Sequence, residues 1–406
     1  MTMASTALLT SMSTAAAAPL ARHSSSGVHA PLTLDWYMWA GSDAEVKSWE
    51  ADAALVTAKY PDIKIHFVYD AWPTYWTKLG SKAASNTLPD IVSLQCGRTG
   101  GFAASFRPLE SYIKSTRFDL QSFDTGIISA LSYQGSVRAL PYDFGPIVIF
   151  YNKAMFQKYH LATPGLTWTY AEFLKDAKAM TSGSDYGFMA NPYPDNWLPF
   201  AMSGGGQYID KSGNLSLTDS KLVAGFQEYA KLRYQYKVSP VETATLNNQQ
   251  TWQGGNIGMV ADGPWDMINF KAGVKFPFGI ATIPSQNGRS VSDVCGSGFG
   301  ISTASKHPDE AWKAISVLTG VQAQQILATQ GRAFTARIAQ QKYWYQNAVP
   351  GAKQVLDYQI KHAVALQTTP NWQQVSSLIL QYGTAVVNGG QTAQSALSSI
   401  QNQISQ

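Results

Sequence analysis

Two aspartates flank a tryptophan in the stretch VADGPWDMINF, residues 260–270. A carboxyl pair beside an aromatic ring is the arrangement with which glycosidic bonds are hydrolysed, provided that the two groups lie about 5–10 Å apart and differ in pKa. Asp262 and Asp266 are candidates for such a pair, and Asp143 is a third candidate carboxyl group. The indole of Trp265 could instead fill a hydrophobic core or form a flat surface for a ligand.

Further polar and aromatic side chains cluster at the ends of three predicted strands near the start of the chain. Ligands of open α/β sheets gather where the carboxyl ends of strands meet, so these residues are candidates for a binding site. For Asp43 and Trp72, the role of a solvated loop residue is the favoured interpretation. The residues at the three strand ends are Trp39, Ser42 and Asp43; Asp70 and Trp72; and Gln95 and Arg98.

The elements that would position these residues alternate between strands and helices. Strand patterns occur in LTLDWYMWAG, in IKIHFVY (63–69) and in LPDIVSLQ (88–95), with helical periodicity in EVKSWEADAALVTAKY and TYWTKLGSKAAS between them. Further strands are predicted in PIVIFYN, GNIGMV, FGIATIP and GFGISTAS, and the chain from Pro308 onward is mostly helical. This alternation predicts an α/β fold with a largely parallel sheet.

Residues 191–216, NPYPDNWLPFAMSGGGQYIDKSGNLS, are rich in glycine, proline and aromatic residues. We expect this section to be irregular. Long irregular stretches inside compact domains usually serve a function. Tyr193 and Trp197 lie within it.

Length and composition narrow the class of protein. A chain of 406 residues exceeds one ordinary core, so two domains or two lobes are expected. The formal net charge of +4 is spread without a basic run, which argues against nucleic acid as a partner. Charged residues make up 14% of the chain, against about 25% in average proteins. We hypothesise an extracellular and acidic setting, because few carboxylates lose ion pairs when the pH falls.

The first 31 residues are rich in Ala, Ser and Thr and contain no acidic residue. We predict that residues 1–31 are a signal remnant and linker without fixed structure. This segment lacks the cysteine to which lipids are attached in anchored proteins. No run of 18 apolar residues occurs elsewhere, so no membrane span is expected.

The sequence contains no motif typical of a metal, a cofactor or a catalytic nucleophile. The six histidines are scattered, and G-x-S-x-G, P-loop and HExxH motifs are absent. The segment GSGFG (296–300) precedes a strand, whereas dinucleotide-binding glycines follow one. Cys96 and Cys295 show no metal spacing and could form one disulfide bridge or none.

The ordered series of motifs resembles one family. LPDIVSL, RPLESYI, ALPYDFGPIVIFYNKAMFQKY, TWTYAEFLKDAKAM, GNIGMVADGPWDM, FGIATIP, GSGFGISTASKHPDEAWKAISVLTG and NWQQVSSLILQYGTAVVNGGQTAQSAL follow one another as in the maltose-binding-like extracellular solute-binding proteins of bacterial ABC-type sugar importers. The resemblance runs from about Leu32 to the C-terminus. Each motif is weak alone, and their order and spacing carry the resemblance.

The resemblance implies a periplasmic-binding-protein-like fold of two α/β lobes joined by a multi-segment hinge, with a ligand cleft between them. The N-lobe is expected to comprise residues 32–142 and 297–335, and the C-lobe residues 143–296 and 336–406. The hinge would pass through LPYDFG and CGSGFG, whose turn residues can absorb the rotation of closure. Such a protein captures a di- or oligosaccharide outside the cell and delivers it to membrane permease subunits. We expect a monomer that is periplasmic or associated with the cell surface.

The resemblance also implies roles for individual residues. Trp265 would stack on the sugar, Asp262 would accept hydroxyl hydrogen bonds, and Asp266 would lie at a helix N-terminus. Arg98 matches a sugar-binding arginine, and Arg332 falls in a Gly-rich turn, although Phe334 replaces the proline common there. Core packing is the alternative for the aromatic residues. The further ligand-binding candidates are Tyr193, Trp197, Trp372, Asp143 and Gly298.

Two alternatives to a sugar-transport protein remain open. The first is a secreted carbohydrate-active enzyme that uses Asp262, Asp266 and Asp143. The second is a binding protein for a polyol, phosphodiester or peptide, although an anionic ligand would favour more Arg and Lys in the loops. In the two-lobed arrangement, Cys96 would follow the third strand and Cys295 would precede the returning strand, so a bridge and two free thiols are both possible.

Overall fold

The computed structural model describes Met1 and residues 31–243, 248–366 and 368–404. The predicted signal remnant and linker, residues 1–31, lies outside these ranges apart from its two end residues. Across the ranges described, no helix is long and apolar enough to span a membrane.

The strands in these ranges are β1 (Leu32–Trp39), β2 (Ile63–Asp70), β3 (Ile91–Gln95), β4 (Ser132–Tyr133), β5 (Ser136–Val137), β6 (Leu140–Pro146), β7 (Val148–Asn152), β8 (Met259–Asp262), β9 (Phe278–Ala281), β10 (Asp293–Ile301) and β11 (Val364–Ala365).

The helices are α1 (Asp43–Lys59), α2 (Trp72–Ala84), α3 (Thr99–Phe102), α4 (Glu110–Thr116), α5 (Thr125–Ala130), α6 (Lys153–Lys158), α7 (Tyr170–Ala179), α8 (Pro194–Ser203), α9 (Ser220–Tyr234), α10 (Asn248–Gln253), α11 (Met267–Gly273), α12 (Pro308–Leu318), α13 (Val321–Gln330), α14 (Gln341–Asn347), α15 (Ala352–Lys361), α16 (Trp372–Val387) and α17 (Ala393–Ile404).

The first sheet has the strand order β11-β10-β3-β1-β2, and β6 also pairs with β10. β1 runs parallel to β2 and to β3, whereas β10 is antiparallel to both β3 and β6. The prediction of a largely parallel sheet is right for β1 to β3 and wrong where β10 pairs with β3 and β6. It is also wrong for β7 to β9, which form an antiparallel sheet. β6 leads the chain from the first sheet into the second, and β10 returns to the first sheet antiparallel to β6.

Large aromatic side chains form the core beside the first sheet. Trp36 of β1 meets Trp49 of α1 edge to face at 5.8 Å between ring centroids, and it meets Phe299 of β10 at 5.1 Å. The last four residues of β1 are all buried, because helices cover both faces of the sheet at this end. The carboxyl end of β1 is thus held rigidly, and it positions the candidate ligand-binding residues that follow it.

The second sheet consists of β8, β7 and β9, with β7 in the centre and antiparallel to both neighbours. Every residue of β7 is buried. Phe150 of β7 packs against Phe270 of α11 at 4.7 Å between ring centroids. The packing of α11 on β7 fixes the helix that follows the GPWD turn.

The chain crosses between the two sheets at closely adjoining places. A single residue, Ile147, separates β6 of the first sheet from β7 of the second. The return crossing enters β10, which pairs with β6 from Val294↔Pro146 to Phe299↔Leu140. A third segment lies beside β6, where the amide of Phe144 donates to the carbonyl of Phe334.

The section predicted to be irregular, residues 191–216, contains the helix α8. That prediction was wrong for ten residues, and the burial of the helix explains why. All residues from Trp197 to Ser203 are buried, so the segment shows no alternation of polar and apolar faces. Pro199 inside the helix and the glycines after it further disguise a helical pattern.

Candidate ligand-binding cleft

A cavity of about 790 Å³ lies between elements of the two sheets. The first sheet contributes residues from the ends of β1 and β3, from β6 and β10, and from the starts of α1 and α2. The second contributes residues from the start of α8, the end of β8 and the turn into α11. We call this cavity the cleft. Its volume falls in the upper part of the range of about 300–1,000 Å³ that is usual for small-molecule sites.

Aromatic rings from both sides line the cleft. Trp39 at the end of β1 meets Trp72 at the start of α2 edge to face, with 5.0 Å between ring centroids. Tyr193, Trp252 and Trp265 come from the side of the second sheet. Trp252 is fully buried behind the wall, whereas Trp72, Tyr193 and Trp265 are partly exposed and offer flat apolar surfaces to a molecule between the two sides.

The turn Gly263-Pro264-Trp265 holds one of these rings tightly. A Cβ atom on Gly263 would lie 2.2 Å from two ring atoms of Trp265, so only glycine lets the indole fold back over the turn. Met267, Ile268 and Phe270 of the following helix are buried, whereas Trp265 remains partly exposed. The sequence therefore presents this indole at the wall of the cleft.

The carboxyl groups of Asp262 and Asp266 are hydrogen-bonded to each other. The amide of Gly263 donates to Asp262 Oδ1 at 2.7 Å, and Asn269 Nδ2 donates to Asp266 Oδ1 at 2.7 Å. Burial and the neighbouring Asp266 raise the pKa of Asp262 well above its usual value. Burial therefore favours the protonated form of Asp262. Asp266 directly precedes α11, although its side chain does not cap that helix.

A polar contact between two helices joins the two sides of the cleft. Ser42 Oγ donates to Asn269 Oδ1 at 2.6 Å, which connects the start of α1 with α11. Ser42 also caps α1 by accepting from the amide of Glu45. The contact links the helix of one side to the helix of the other.

Arg332 is buried against the wall of the cleft and is surrounded by acidic and aromatic groups. Its Nε lies 3.1 Å from Glu45 Oε1, and Nη1 lies 4.0 Å from Asp143 Oδ2. The guanidinium also stacks over Trp49, at 4.6 Å from the ring centroid. Burial opposes its charge, but the surrounding carboxylates, with Glu45 contributing most, raise its pKa overall.

Asp143 sits in β6 where the chain passes from one sheet to the other. The amide of Ser297 in β10 donates to its Oδ1 at 2.7 Å. Burial raises the pKa of Asp143 to about 7, although Arg332 acts against this shift. The residue thus fixes β6 to β10 at the floor of the cleft and titrates near neutral pH.

Three further carboxyl groups line the cleft, Asp195 and Glu242 from the side of the second sheet and Asp293 from the start of β10. Glu242 Oε2 pairs with the buried Arg233 at 3.0 Å. Asp293 is 2% exposed, and burial followed by the charge of Asp195 raises its pKa to about 8. Burial also raises the pKa of Asp195, although the positive charge of Arg98 acts against this shift. The carboxylic residues around the whole cleft are Glu45, Asp143, Asp195, Glu242, Asp262, Asp266 and Asp293.

The structure brings seven of the predicted ligand-binding residues together in the cleft lining, and Ser42 contacts the lining residue Asn269. The seven are Trp39, Gln95, Asp143, Tyr193, Asp262, Trp265 and Arg332. Trp72, for which a solvated loop position was favoured, also lines the cleft, because it begins α2 beside Trp39. Asp43 lies in the exposed first turn of α1.

Four predicted residues lie outside the lining because other contacts engage them. Asp70 accepts from Lys78 Nζ at 2.6 Å and from the hydroxyl of Tyr37. Trp197 is fully buried and stacks on Phe226 at 4.1 Å, and Trp372 packs against Tyr208. Gly298 lies within β10, between Leu94 and Pro141 of its two neighbouring strands.

Arg98 also lies outside the lining, but it positions residues that belong to it. Its guanidinium stacks over Trp76 at 4.0 Å and over Trp72 at 5.2 Å from the ring centroids. Nη1 donates to Gln95 Oε1 at 2.5 Å, and Nε donates to Gln373 of α16. Arg98 thereby orients Gln95 and Trp72 and reaches across to a helix that packs on the other side.

The structure joins Cys96 and Cys295 in a disulfide bond. Cys96 follows β3, and Cys295 lies in β10, which pairs with β3. Cys295 also lines the cleft. The bond therefore fastens the returning strand to the middle of the first sheet beside the site.

Several lining residues were not predicted from the sequence, notably Glu45, Asp195, Glu242 and Asp293. A signal existed for Glu45, because Ser42-x-x-Glu45 is a capping-box pattern that places both side chains at the start of a helix. No comparable signal marks Asp195 and Asp293. Their proximity depends on how α8 and β10 pack, and that packing is not visible in a single sequence.

Comparison with known proteins agrees with this architecture. The family of bacterial extracellular solute-binding proteins matches residues 53–353. A probable ABC transporter-binding protein of Deinococcus radiodurans is 23% identical over 278 residues, which is 63% of each chain. A putative binding protein of Brucella abortus is 23% identical over 64% of this chain and 66% of its own. The match thus spans slightly less than two thirds of these relatives.

Solved structures share the fold over nearly their whole length. An ABC substrate-binding protein from Listeria monocytogenes, in complex with cycloalternan, has a TM-score of 0.85 at 20% identity, covering 92% of this chain and 97% of that chain. A solute-binding protein from Thermotoga lettingae, bound with α-D-tagatose, has a TM-score of 0.83 at 20% identity and covers 92% and 98%. The two lobes and the cleft between them are the fold of these proteins, and the chain belongs to the family of bacterial extracellular solute-binding proteins.

Proposed function

We propose that this protein captures a carbohydrate, a di- or oligosaccharide, in the cleft and delivers it to the permease of an ABC importer. The observation that carries the proposal is the set of aromatic rings that both sides contribute to one cavity. Sugar rings have apolar C–H faces and a rim of hydroxyl groups, and flat indole rings match such faces. The names of the relatives, which include an ABC transporter-binding protein and a sugar-bound neighbour, support the same class.

The polar groups of the cleft fit the rim of a sugar. Gln95, Asn191 and Asn196 supply amide donors and acceptors, and the carboxyl groups supply acceptors for hydroxyl groups. Arg332 supplies a planar fork of donors on the same wall. In our proposal, Trp265, Trp39 and Tyr193 contact the ring faces.

The lobe limits that accompany this function remain a proposal: residues 32–142 with 297–335, and residues 143–296 with 336–406. The limits 142/143 and 296/297 lie within β6 and β10, which pair with each other. Rotation about these paired strands would open and close the cleft. The contact between Ser42 and Asn269 would then belong to the closed form.

We propose that the protein acts without catalysis, as a monomer, in the periplasm or at the cell surface. The carboxyl groups of Asp262 and Asp266 are hydrogen-bonded to each other. Glycosidases keep their two carboxyl groups about 5–5.5 Å or about 6.5–9.5 Å apart, so that a sugar or a water molecule fits between them. This pair is too close for either mechanism.

A thermal-shift screen of mono-, di- and trisaccharides, with product analysis in parallel, tests the proposed function. Ligand at about 100 times Kd adds about 2.7 kcal/mol to the free energy of unfolding, so a true ligand should raise Tm by several degrees. Turnover of any sugar would refute the transport role. If no sugar shifts Tm, the ligand is not a carbohydrate.

A further inference from the structure

Carboxyl groups outnumber cations in the cleft. Seven acidic side chains line it, and Arg332 is the one cationic side chain among the described lining residues. Arg332 lies beside Glu45 and Asp143, and Arg233, from outside the lining, pairs with Glu242. These three carboxyl groups are therefore compensated by protein cations.

The other four carboxyl groups form what we call the acidic cluster: Asp195, Asp262, Asp266 and Asp293. Within the described part of the chain, none of them has a Lys, Arg or His nitrogen within 4.0 Å. They interact electrostatically, because the charge of Asp195 acts on both Asp262 and Asp293, and the charge of Asp266 acts on Asp262. The charge of Arg98 acts on Asp195, and the charges of Arg332 and Asp266 act on each other. Both interactions are electrostatic and act over more than 4.0 Å.

Asp293 provides a second and independent observation. Its side chain is 2% exposed in the wall of the cleft, and its Oδ1 atom has no hydrogen-bond partner among the residues that the structure describes. A buried acceptor without a donor typically costs about 1–3 kcal/mol. Such an atom at the surface of a binding cavity is a site for a donor on the ligand.

Burial disfavours the charged forms of Asp195, Asp262 and Asp293. The pKa of Asp262 lies well above its usual value, and that of Asp293 is about 8. A cation placed among these groups would stabilise their charged forms and displace the protons. A positively charged ligand group would therefore be stabilised most at these positions.

We propose that the natural ligand is an amino sugar or an oligosaccharide that contains one, with its ammonium group bound by the acidic cluster. This inference rests on the proposed function and specifies the class of saccharide. The aromatic rings would hold the sugar faces, and Asp195, Asp262 and Asp293 would surround the ammonium group. A linear polyamine would satisfy the charge but would leave the aromatic rings without a ring to stack on.

The test is a calorimetric titration at pH 7 with saccharides that differ at one position. The probes are glucose, glucosamine and N-acetylglucosamine, together with the β-1,4-linked dimer of each. We expect the amine to bind at least about tenfold more tightly than its hydroxyl and acetamide counterparts, because a charge-assisted contact replaces a neutral one. Titrations in two buffers of different ionisation enthalpy should show that protons are released on binding.

Two variants make the test specific. Asp293→Asn should reduce affinity for the amine by about tenfold or more while changing affinity for the hydroxyl counterpart by less than about threefold. Asp62→Asn removes an exposed carboxyl group far along the chain from the cluster and should change neither affinity. Tm measured without ligand verifies that both variants fold.

The outcomes separate this inference from the proposed function. If neutral saccharides bind as tightly as the amines, the inference is overturned and the proposed function stands. If spermidine binds as tightly as the amino sugars, the charge is recognised but the saccharide part is refuted. If no saccharide binds in these titrations or in the wider screen, both proposals fail.

Discussion

Trp265 and Trp197 show how differently two tryptophans near the second sheet are used. Trp265 is partly exposed at the wall of the cleft, while Trp197 is fully buried against Phe226. Both lie in loop-like sequence that contains proline, with Pro264 directly before Trp265 and Pro199 two residues after Trp197. The difference follows from their neighbours, because Gly263 lets Trp265 fold over the turn, whereas α8 carries Trp197 into the core.

Replacing Trp265 should therefore affect binding more than stability. We expect Trp265→Ala to lower the affinity for a bound sugar at least about tenfold, through loss of stacking and buried apolar area, while Tm falls by only a few degrees. Trp197→Ala is the matched control and should cost about 3–5 kcal/mol of the free energy of unfolding. Titration calorimetry and thermal denaturation measure the two effects. A collapse of Tm in Trp265→Ala would show that this indole is core packing.

At the scale of elements, the GPWD turn between β8 and α11 depends on close packing around Gly263. Gly263→Ala would place a methyl group 2.2 Å from ring atoms of Trp265, so the indole must leave its position. We expect this variant to lose as much sugar affinity as Trp265→Ala. Gly165→Ala is the control, because a Cβ atom there meets nothing within 4 Å. Unchanged affinity in Gly263→Ala would mean that the orientation of Trp265 does not matter for binding.

The disulfide between Cys96 and Cys295 ties β10 to the end of β3 across a sequence separation of 199 residues. Replacing both cysteines with alanine should lower the free energy of unfolding by about 2–5 kcal/mol. Denaturant titration measures this loss. Because the chain has only these two cysteines, a reducing agent should lower the stability of the wild type and leave the double variant unchanged. Equal stability of both proteins in the absence of reductant would contradict the expectation.

Much of the order of helices and strands can be predicted from the sequence. Which residues far apart in the sequence lie close together in space cannot. Hydrophobic periodicity and glycine-proline turns were sufficient to locate β1, β2, β3 and the GPWD turn. The helix α8 was not predicted, because a helix that is buried on all sides shows no periodic alternation of polar and apolar residues. Asp195 and Asp293 lie about a hundred residues apart, and only the packing of α8 beside β10 brings their charges within range.

At the scale of the whole molecule, buried carboxyl groups should dominate the pH dependence of stability. Burial raises the pKa of Asp143 to about 7 and of Asp293 to about 8, and it also raises those of Asp52 and Asp262. A carboxyl group whose pKa is raised by folding stabilises the folded protein at a pH below its pKa in the unfolded chain, which is near 4. This stabilisation is lost as the pH rises through the pKa of the group in the folded protein. We expect Tm of the ligand-free protein to fall by several degrees between pH 5 and pH 8.

Carboxyl groups whose pKa is lowered do not cancel this fall of Tm between pH 5 and pH 8. Burial disfavours the charge of Asp70 and Asp185, but their lysine partners lower both pKa values overall. Their contribution is present above pH 4 and is lost only in stronger acid. Asp293→Asn should flatten the fall of Tm between pH 5 and pH 8, and Asp62→Asn should leave it unchanged. A wild-type Tm that peaks sharply at neutral pH would argue against both the trend and an acidic habitat.

The path of the chain through the two sheets has a consequence for biosynthesis. β7, β8 and β9 lie in the sequence between β6 and β10, so the second sheet is complete when residue 281 has emerged, whereas the first still lacks β10. Until β10 arrives, β3 exposes an unpaired edge and Cys96 is a free thiol. We expect the second sheet to form before the first during synthesis or export, and the pairing of β3 with β10 to complete later.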